Sequence, residues 1–203
     1  MRIFTEKEAE RFLKKEGFDI FEEIFIESES GLKSAVRKIG FPLVMKVSGR
    51  KIVHKKKIGG VRLGIKSYNQ ALKFFKELTR IKGAEGVVIE SFIKDKRFFL
   101  LGLKKTPEFG HVVAFGFGGS DVEEKKDVSF RACPVDKEEI VNMIKETKIG
   151  NKLDKKSIDK IRANLIGLCK LAENYPKIKS LDINPLVFER NKAKIIDARI
   201  IWE

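Results

Sequence analysis

Cysteine is almost missing from this chain: Cys133 and Cys169 are the two in 203 residues. Neither has a second thiol or a histidine at metal-site spacing. Isolated, reduced thiols in a cytoplasmic protein are therefore expected. Glutamine occurs once, at Gln70, while Lys, Glu and Ile abound; that composition points to a heat-adapted source. No apolar run nears the ~20 residues of a membrane span. Charged residues follow Met1-Arg2-Ile3-Phe4 at once, so neither a membrane partner nor a signal peptide is expected. No Gly-x-Gly-x-x-Gly follows a strand, and no Gly-Lys-Ser/Thr follows a glycine loop. The two best-marked nucleotide-binding motifs are thus excluded.

What is present is globular: 42% hydrophobic and 35% charged residues. Lysine and arginine number 43 against 29 acidic residues, a net charge of +14. The runs Lys55-Lys56-Lys57 and Lys104-Lys105 are short and scarcely interleaved with aromatics. They read as solvated faces, and no nucleic-acid partner is expected.

The order of elements predicts an α+β, mixed α/β protein. Thr5-Glu6-Lys7-Glu8 is a capping box for a helix that runs to Gly17. A short strand is expected at Phe25-Ile26, then a helix capped by Ser30 and stopped by Gly40. Phe41 to Val47 reads as a buried strand and Val61 to Ile65 as an alternating one. Ser67-Tyr68-Asn69-Gln70 is a second capping box, opening a helix to about Lys82. Strands follow over Gly86–Phe92, Phe98–Lys104, His111–Phe117 and Val128–Cys133. Helices are expected over Lys137–Glu146 and Ser157–Glu173. Two apolar strands, one with Asp182 and Asn184 and one with Asp197 inside it, close the chain. Two lobes with a cleft between them suit this order.

Those last strands bring hard oxygen donors together on rigid elements, as Mg²⁺ shared with phosphates requires. Lys46, near the end of an apolar strand, offers a point charge for phosphate oxygens; a lysine snorkelling to water is the plain alternative. Between Ser48 and Gly60 lies a loop basic at one end and closed by Gly59-Gly60. It is a candidate phosphate cradle or an ordinary hairpin turn. His54 lies in this loop and is a candidate phosphoryl acceptor. His111 has no such surroundings and reads as structural. Gly116-Phe117-Gly118-Gly119-Ser120 either clasps a phosphate or gives a moving loop room.

Taken in order, these segments resemble the ATP-grasp subunit of ADP-forming acyl-CoA synthetases, the group of acetate–CoA ligase and succinyl-CoA synthetase. The resemblance rests on Gly40-Phe41-Pro42-Leu43-Val44-Met45-Lys46-Val47, His54-Lys55 with Gly59-Gly60-Val61, Phe109-Gly110 and Phe115-Gly116-Phe117-Gly118-Gly119. It continues with Lys126-Asp127-Val128-Ser129-Phe130-Arg131, Leu181-Asp182-Ile183-Asn184-Pro185-Leu186 and Asp197-Ala198-Arg199. It covers almost the whole chain.

The resemblance implies an ATP-grasp fold over residues 1–203, with nucleotide held between two lobes. The lobes would be 21–94, handling phosphate, and 1–20 plus 95–203, holding metal. It implies that Lys46, Gly59, Gly60 and Glu90 bind ATP or ADP, with Glu90 lining the adenine pocket. Asn184 and Asp197, helped by Asp182, would hold Mg²⁺, and His54 would accept a phosphoryl group. The implied enzyme is an acid–thiol ligase that interconverts acyl-CoA, ADP and phosphate with acid, CoA and ATP. The family's CoA-binding and principal phosphohistidine domains have no counterpart in this sequence. It is therefore expected to be a β subunit, active with an α subunit in an α2β2 assembly. One departure concerns the nucleotide: a glutamate that the family places four residues before Gly102 is Phe98 here. Alternatives at this stage are an ATP-grasp carboxylate–amine ligase, which needs no histidine, a non-catalytic nucleotide-binding subunit, and a nucleic-acid-binding protein.

Overall fold

The computed structural model describes residues 1–49, 52, 55, 57–95, 97–119 and 126–203. Two compact units divide the chain, one from Glu22 to Lys94 and the other from Met1–Phe21 with Asp95–Glu203.

The smaller unit is a four-stranded antiparallel sheet with two helices. Its strands are β2 (Glu23–Ile26), β3 (Leu43–Ser48), β4 (Val61–Ile65) and β5 (Gly86–Ser91), in the order β2-β5-β3-β4. Helices α2 (Glu29–Ile39) and α3 (Tyr68–Leu78) bury Leu32, Ala35, Val36 and Ile39, and Ala71, Phe75 and Leu78. This spacing of three and four residues gives each helix one apolar stripe. The stripes cover Leu43, Met45 and Val47 of β3 and Val87 and Ile89 of β5. Alternation along β3 therefore turns Lys46 away from the core.

The larger unit is a seven-stranded antiparallel sheet. Its strands are β1 (Arg2–Ile3), β6 (Phe99–Thr106), β7 (Gly110–Phe117), β8 (Val128–Ala132), β9 (Ile178–Glu189), β10 (Lys192–Ile195) and β11 (Ala198–Trp202). The order is β1-β11-β9-β6-β7-β8, with β10 folded back on β9. Helices α1 (Glu6–Lys15), α4 (Lys137–Glu146) and α5 (Lys155–Asn174) complete the unit. From α5, Ile158, Ile161, Leu165 and Leu168 join Phe99, Leu101 and Leu103 of β6 and Leu181 and Ile183 of β9 in one core. Each such side chain, fully buried, contributes about 1.5–3 kcal/mol. Gly102 and Lys104 of β6 and Asp182 and Asn184 of β9 occupy the alternate positions, on the sheet face opposite this core.

Local details depart from the sequence reading in several places. The Thr5 box forms as expected, with Thr5 and Glu8 bonding reciprocally. Helix α2 is entered at Ser28 rather than Ser30, and the two hydroxyls bond to each other at 2.8 Å. The Ser67 box is only half made. Ser67 accepts the Gln70 N–H, but the Gln70 amide reaches past it to the Lys66 N–H. Helix α3 then stops at Leu78, where Thr79 turns its hydroxyl back to the Phe75 carbonyl. Helix α5 starts earlier than Ser157, because Asp154 caps it by accepting the Ser157 N–H at 2.7 Å.

Two departures matter more. Cys133 and Cys169 are not isolated thiols; they form a disulfide joining the end of β8 to α5. Sequence spacing gives no hint of this, because the strand and the helix meet only through the core. And Asp197 is not inside a strand: it lies in the break between β10 and β11. The chain bends at Ile196, just before it.

Candidate functional site

In the smaller unit, β3 and β5 place Lys46 and Glu90 on one face. Val44 is the direct neighbour of Glu90 and Lys46 that of Val88, so the two charged side chains meet diagonally. The Lys46 Nζ lies 2.5 Å from the Glu90 Oε2. On its other side, Glu90 stands directly opposite Glu23 of β2. Glu90 is buried, with a side chain only 11% exposed, while Lys46 remains one-third exposed. Burial and the hydrogen bond that protonated Glu90 makes to Glu23 push the Glu90 carboxyl up to about 7, against the opposing pull of Lys46. Protonation of this carboxyl would weaken its hold on Lys46. Glu23 was not singled out by sequence; it begins a four-residue strand, and only pairing across the sheet brings it to Glu90.

The glycines of the basic loop have a structural explanation. Gly59 has φ +66°, a conformation that side chains disfavour. At Gly60 a side chain would meet Val47 Cγ1 at 2.4 Å. The Gly60 N–H already donates to the Lys55 carbonyl, and its carbonyl accepts from Val47 N–H. In this arrangement Gly60 closes the turn beside Lys46, and its amide is not turned to a ligand. His54 lies outside the described residues. The same smaller unit holds a cavity of about 550 Å³ lined by Phe41, Pro42, Gly64, Lys66, Phe92 and Lys94.

The larger unit gathers the oxygen donors. Asn184 donates its backbone N–H to the Asp197 carbonyl at 3.1 Å, making the two residues neighbours across β9 and the start of β11. Asp182 shares the face of Asn184, two residues earlier on β9. Burial raises the Asp182 carboxyl, opposed by Arg199 and Lys104. Arg199 is its direct neighbour on β11 and Gly102 its neighbour on β6. The glycine loop also arrives here. Gly119 N–H donates to Asn184 Oδ1 at 2.6 Å. Phe98 lies beside Gly119: a Cβ built there would be 3.5 Å from Phe98 Cδ2.

The donor set suits Mg²⁺: one amide oxygen and two carboxylates, hard donors without thiols or imidazoles. The Asn184 oxygen has two lone pairs, and the Gly119 N–H takes one, leaving the other for a cation. Two other residues of the resemblance prove to be supports. Asp127 accepts the N–H groups of Lys148 and Ile149, at 2.8 and 3.0 Å. Arg131 bridges Glu139 and Glu146 of α4. Both tie β8 to the helical layer.

A family model described as an ATP-grasp domain matches residues 1–201. The chain belongs to the ATP-grasp family. Its relatives place it among ADP-forming acetate–CoA ligases. This ATP-grasp chain is 34% identical over 215 residues to the β subunit of ADP-forming acetate–CoA ligase I of Pyrococcus furiosus, with 98% of this chain and 92% of that subunit covered. It is 37% identical over 204 residues to ADP-forming acetate–CoA ligase II of Archaeoglobus fulgidus. There it spans 98% of its own length but only 30% of the relative. Among solved structures it superposes with a TM-score of 0.71 and 30% identity on dinucleotide-forming acetyl-coenzyme A synthetase 1 of Ca. Korarchaeum cryptofilum. That match covers 99% of this chain and 93% of the other, which was solved with coenzyme A and Mg-AMPPCP, its phosphohistidine segment pointing towards the nucleotide-binding site. The ATP-grasp fold expected from sequence is therefore the fold of this chain. Among the described residues, no helix is long and apolar enough to cross a membrane.

Proposed function

We propose that this chain is the nucleotide-handling β subunit of an ADP-forming acyl-CoA synthetase of the acetate–CoA ligase type. The reaction interconverts acyl-CoA, ADP and phosphate with acid, CoA and ATP. The observation that carries the reading is the backbone pairing of Asn184 on β9 with Asp197 just before β11, with Asp182 on the face of Asn184. Asn184 and Asp197, assisted by Asp182, would hold Mg²⁺. The ion supplies charge neutralisation to the phosphate oxygens, on which phosphoryl transfer chiefly depends.

The chain's own residues prepare the remaining charge. Lys46 is the phosphate-binding cation and Glu90 its keeper. At neutral pH Glu90 takes up a proton readily, and a neutral carboxyl holds the ammonium weakly. Lys46 is then available to a phosphate oxygen. Gly59 and Gly60 shape the turn beside it. Glu90 would also line the adenine site, and His54 would carry the phosphoryl group between the nucleotide and the α subunit. That subunit would supply the CoA-binding and principal phosphohistidine domains, in an α2β2 assembly.

Asp197→Asn tests the reading. With Mg²⁺ present, the variant should lose turnover in the reconstituted complex and lose the metal-dependent part of ADP affinity, while its melting temperature stays within a degree or two. Undiminished activity would remove Asp197 from the metal site.

A further inference from the structure

The glycine loop contacts the proposed metal site with its backbone, and this assigns it a task that neither phosphate binding nor mobility describes. Gly119 meets the Asn184 side chain twice. Its N–H donates to Oδ1 at 2.6 Å, and its carbonyl accepts from Nδ2 at 3.5 Å. The first bond is short and strong, and the second is long. Together they distinguish the two ends of the amide: rotating it by half a turn would set the Gly119 N–H against an NH₂ group and the carbonyl against an oxygen. The peptide group of Gly119 thereby selects which atom of Asn184 is the oxygen at that corner.

The loop is held in this place along its described length. Gly116 packs so closely on the backbone of Asp127 that a Cβ would lie 2.3 Å from its carbonyl oxygen. Phe117 N–H bonds that same oxygen at 3.1 Å. Gly118 donates its N–H to the Phe98 carbonyl at 2.8 Å, and a Cβ there would lie 2.5 Å from the Phe99 backbone. Gly119 then takes φ +93°, which glycine adopts freely and alanine does not. Each of the three glycines thus serves the same path, from the end of β7 over the start of β6 onto β9.

We propose that Gly119 is a positioning residue for the metal site: its left-handed peptide orients the Asn184 amide so that Oδ1 is presented to Mg²⁺. The inference rests on the metal reading of Asn184 and Asp197. Residues that orient a metal ligand through a hydrogen bond characteristically change metal affinity about 10–100-fold when altered.

The experiment compares Gly119→Ala with Gly119→Asn in the full chain. Asparagine tolerates positive φ far better than alanine. The Cβ of either residue would meet Phe98 at ordinary van der Waals distance. ADP is titrated calorimetrically with Mg²⁺ and again with a chelator, and folding is followed by thermal melting. Gly119→Ala should weaken ADP binding about 10-fold or more with Mg²⁺ and less than about 2-fold without it, whereas Gly119→Asn should stay near wild type in both. Equal weakening in the two titrations, or equal behaviour of the two variants, overturns the inference. Asp197→Asn run alongside separates the two levels. If it loses the Mg²⁺-dependent gain while Gly119→Ala keeps it, only the positioning role falls. If wild type shows no Mg²⁺-dependent gain, or Asp197→Asn retains it, the metal reading falls and the inference with it.

Discussion

Glu90→Gln removes a buried proton-binding site without changing its shape, and the consequence is a stability curve that lacks the bend Glu90 imposes near neutral pH. The carboxyl ordinarily titrates at 4.5 and is raised to about 7 in the folded protein, chiefly by burial and then by the Glu23 hydrogen bond. The folded state therefore holds this proton more tightly than the unfolded chain does. The stabilisation linked to it is complete below the unfolded value and disappears as pH rises through about 7. The whole gap is worth about 3 kcal/mol, most of it lost between pH 5 and pH 8. Urea unfolding of the wild type and the variant, at closely spaced pH values, measures this directly. The difference between the two proteins isolates Glu90, because every other titrating group is common to both. Relative to wild type, Glu90→Gln should gain roughly 2–3 kcal/mol on going from pH 5 to pH 8, expressed in the unfolding of the smaller unit. The part of the difference that comes from the Lys46 ion pair is small and confined to the high-pH side, since Lys46 is one-third exposed. Parallel curves for the two proteins would refute the account of Glu90 as a proton-holding keeper of Lys46.

Further outcomes are expected. His54→Asn should abolish labelling of this chain by radioactive phosphate in the reconstituted complex; label that persists would exclude His54 as the carrier. Reducing the Cys133–Cys169 bond, or replacing Cys133 by Ser, reopens a loop closed across 36 residues. The entropy of that closure is worth about 4 kcal/mol, and calorimetry should show the melting of the larger unit falling by roughly 10 °C with the smaller unit unmoved. Two titratable thiols in the native, unreduced protein would contradict the disulfide. Phe99→Ala should cost about 3–5 kcal/mol, because its ring is fully buried between α5 and the sheet, and a loss under 1 kcal/mol would mean that the core closes over the cavity.

Much of the fold was legible because its determinants are local. The Thr5–Glu8 box, the alternation from Val61 to Ile65, and the three- and four-residue spacing of α4 and α5 each announce an element within a dozen residues. Ends were less legible, since competing caps such as Ser28 against Ser30 differ only in contacts formed after folding. The candidate metal donors Asn184 and Asp197 were readable as hard oxygens near apolar strands, yet Asp197 proved to lie in the break between two strands rather than inside one. Glu23 and the support of Asn184 by Gly119 were not readable, because each joins residues more than sixty positions apart. The Cys133–Cys169 bond was misread because it too joins two different elements, 36 residues apart.

The sequence by itself determined the ATP-grasp family, the identity of the oxygen donors, the lysine and the glycines, and the order of strands and helices, since these follow from residue type, spacing and periodicity. Only the tertiary structure decided which partners these groups hold. Cross-strand register set Lys46 against Glu90 and Glu90 against Glu23. The packing of the glycine loop set the Gly119 peptide against Asn184. Burial then moved the Glu90 carboxyl to neutrality. Register, close approach and desolvation are properties of groups brought together from distant parts of the chain, and no local pattern encodes them.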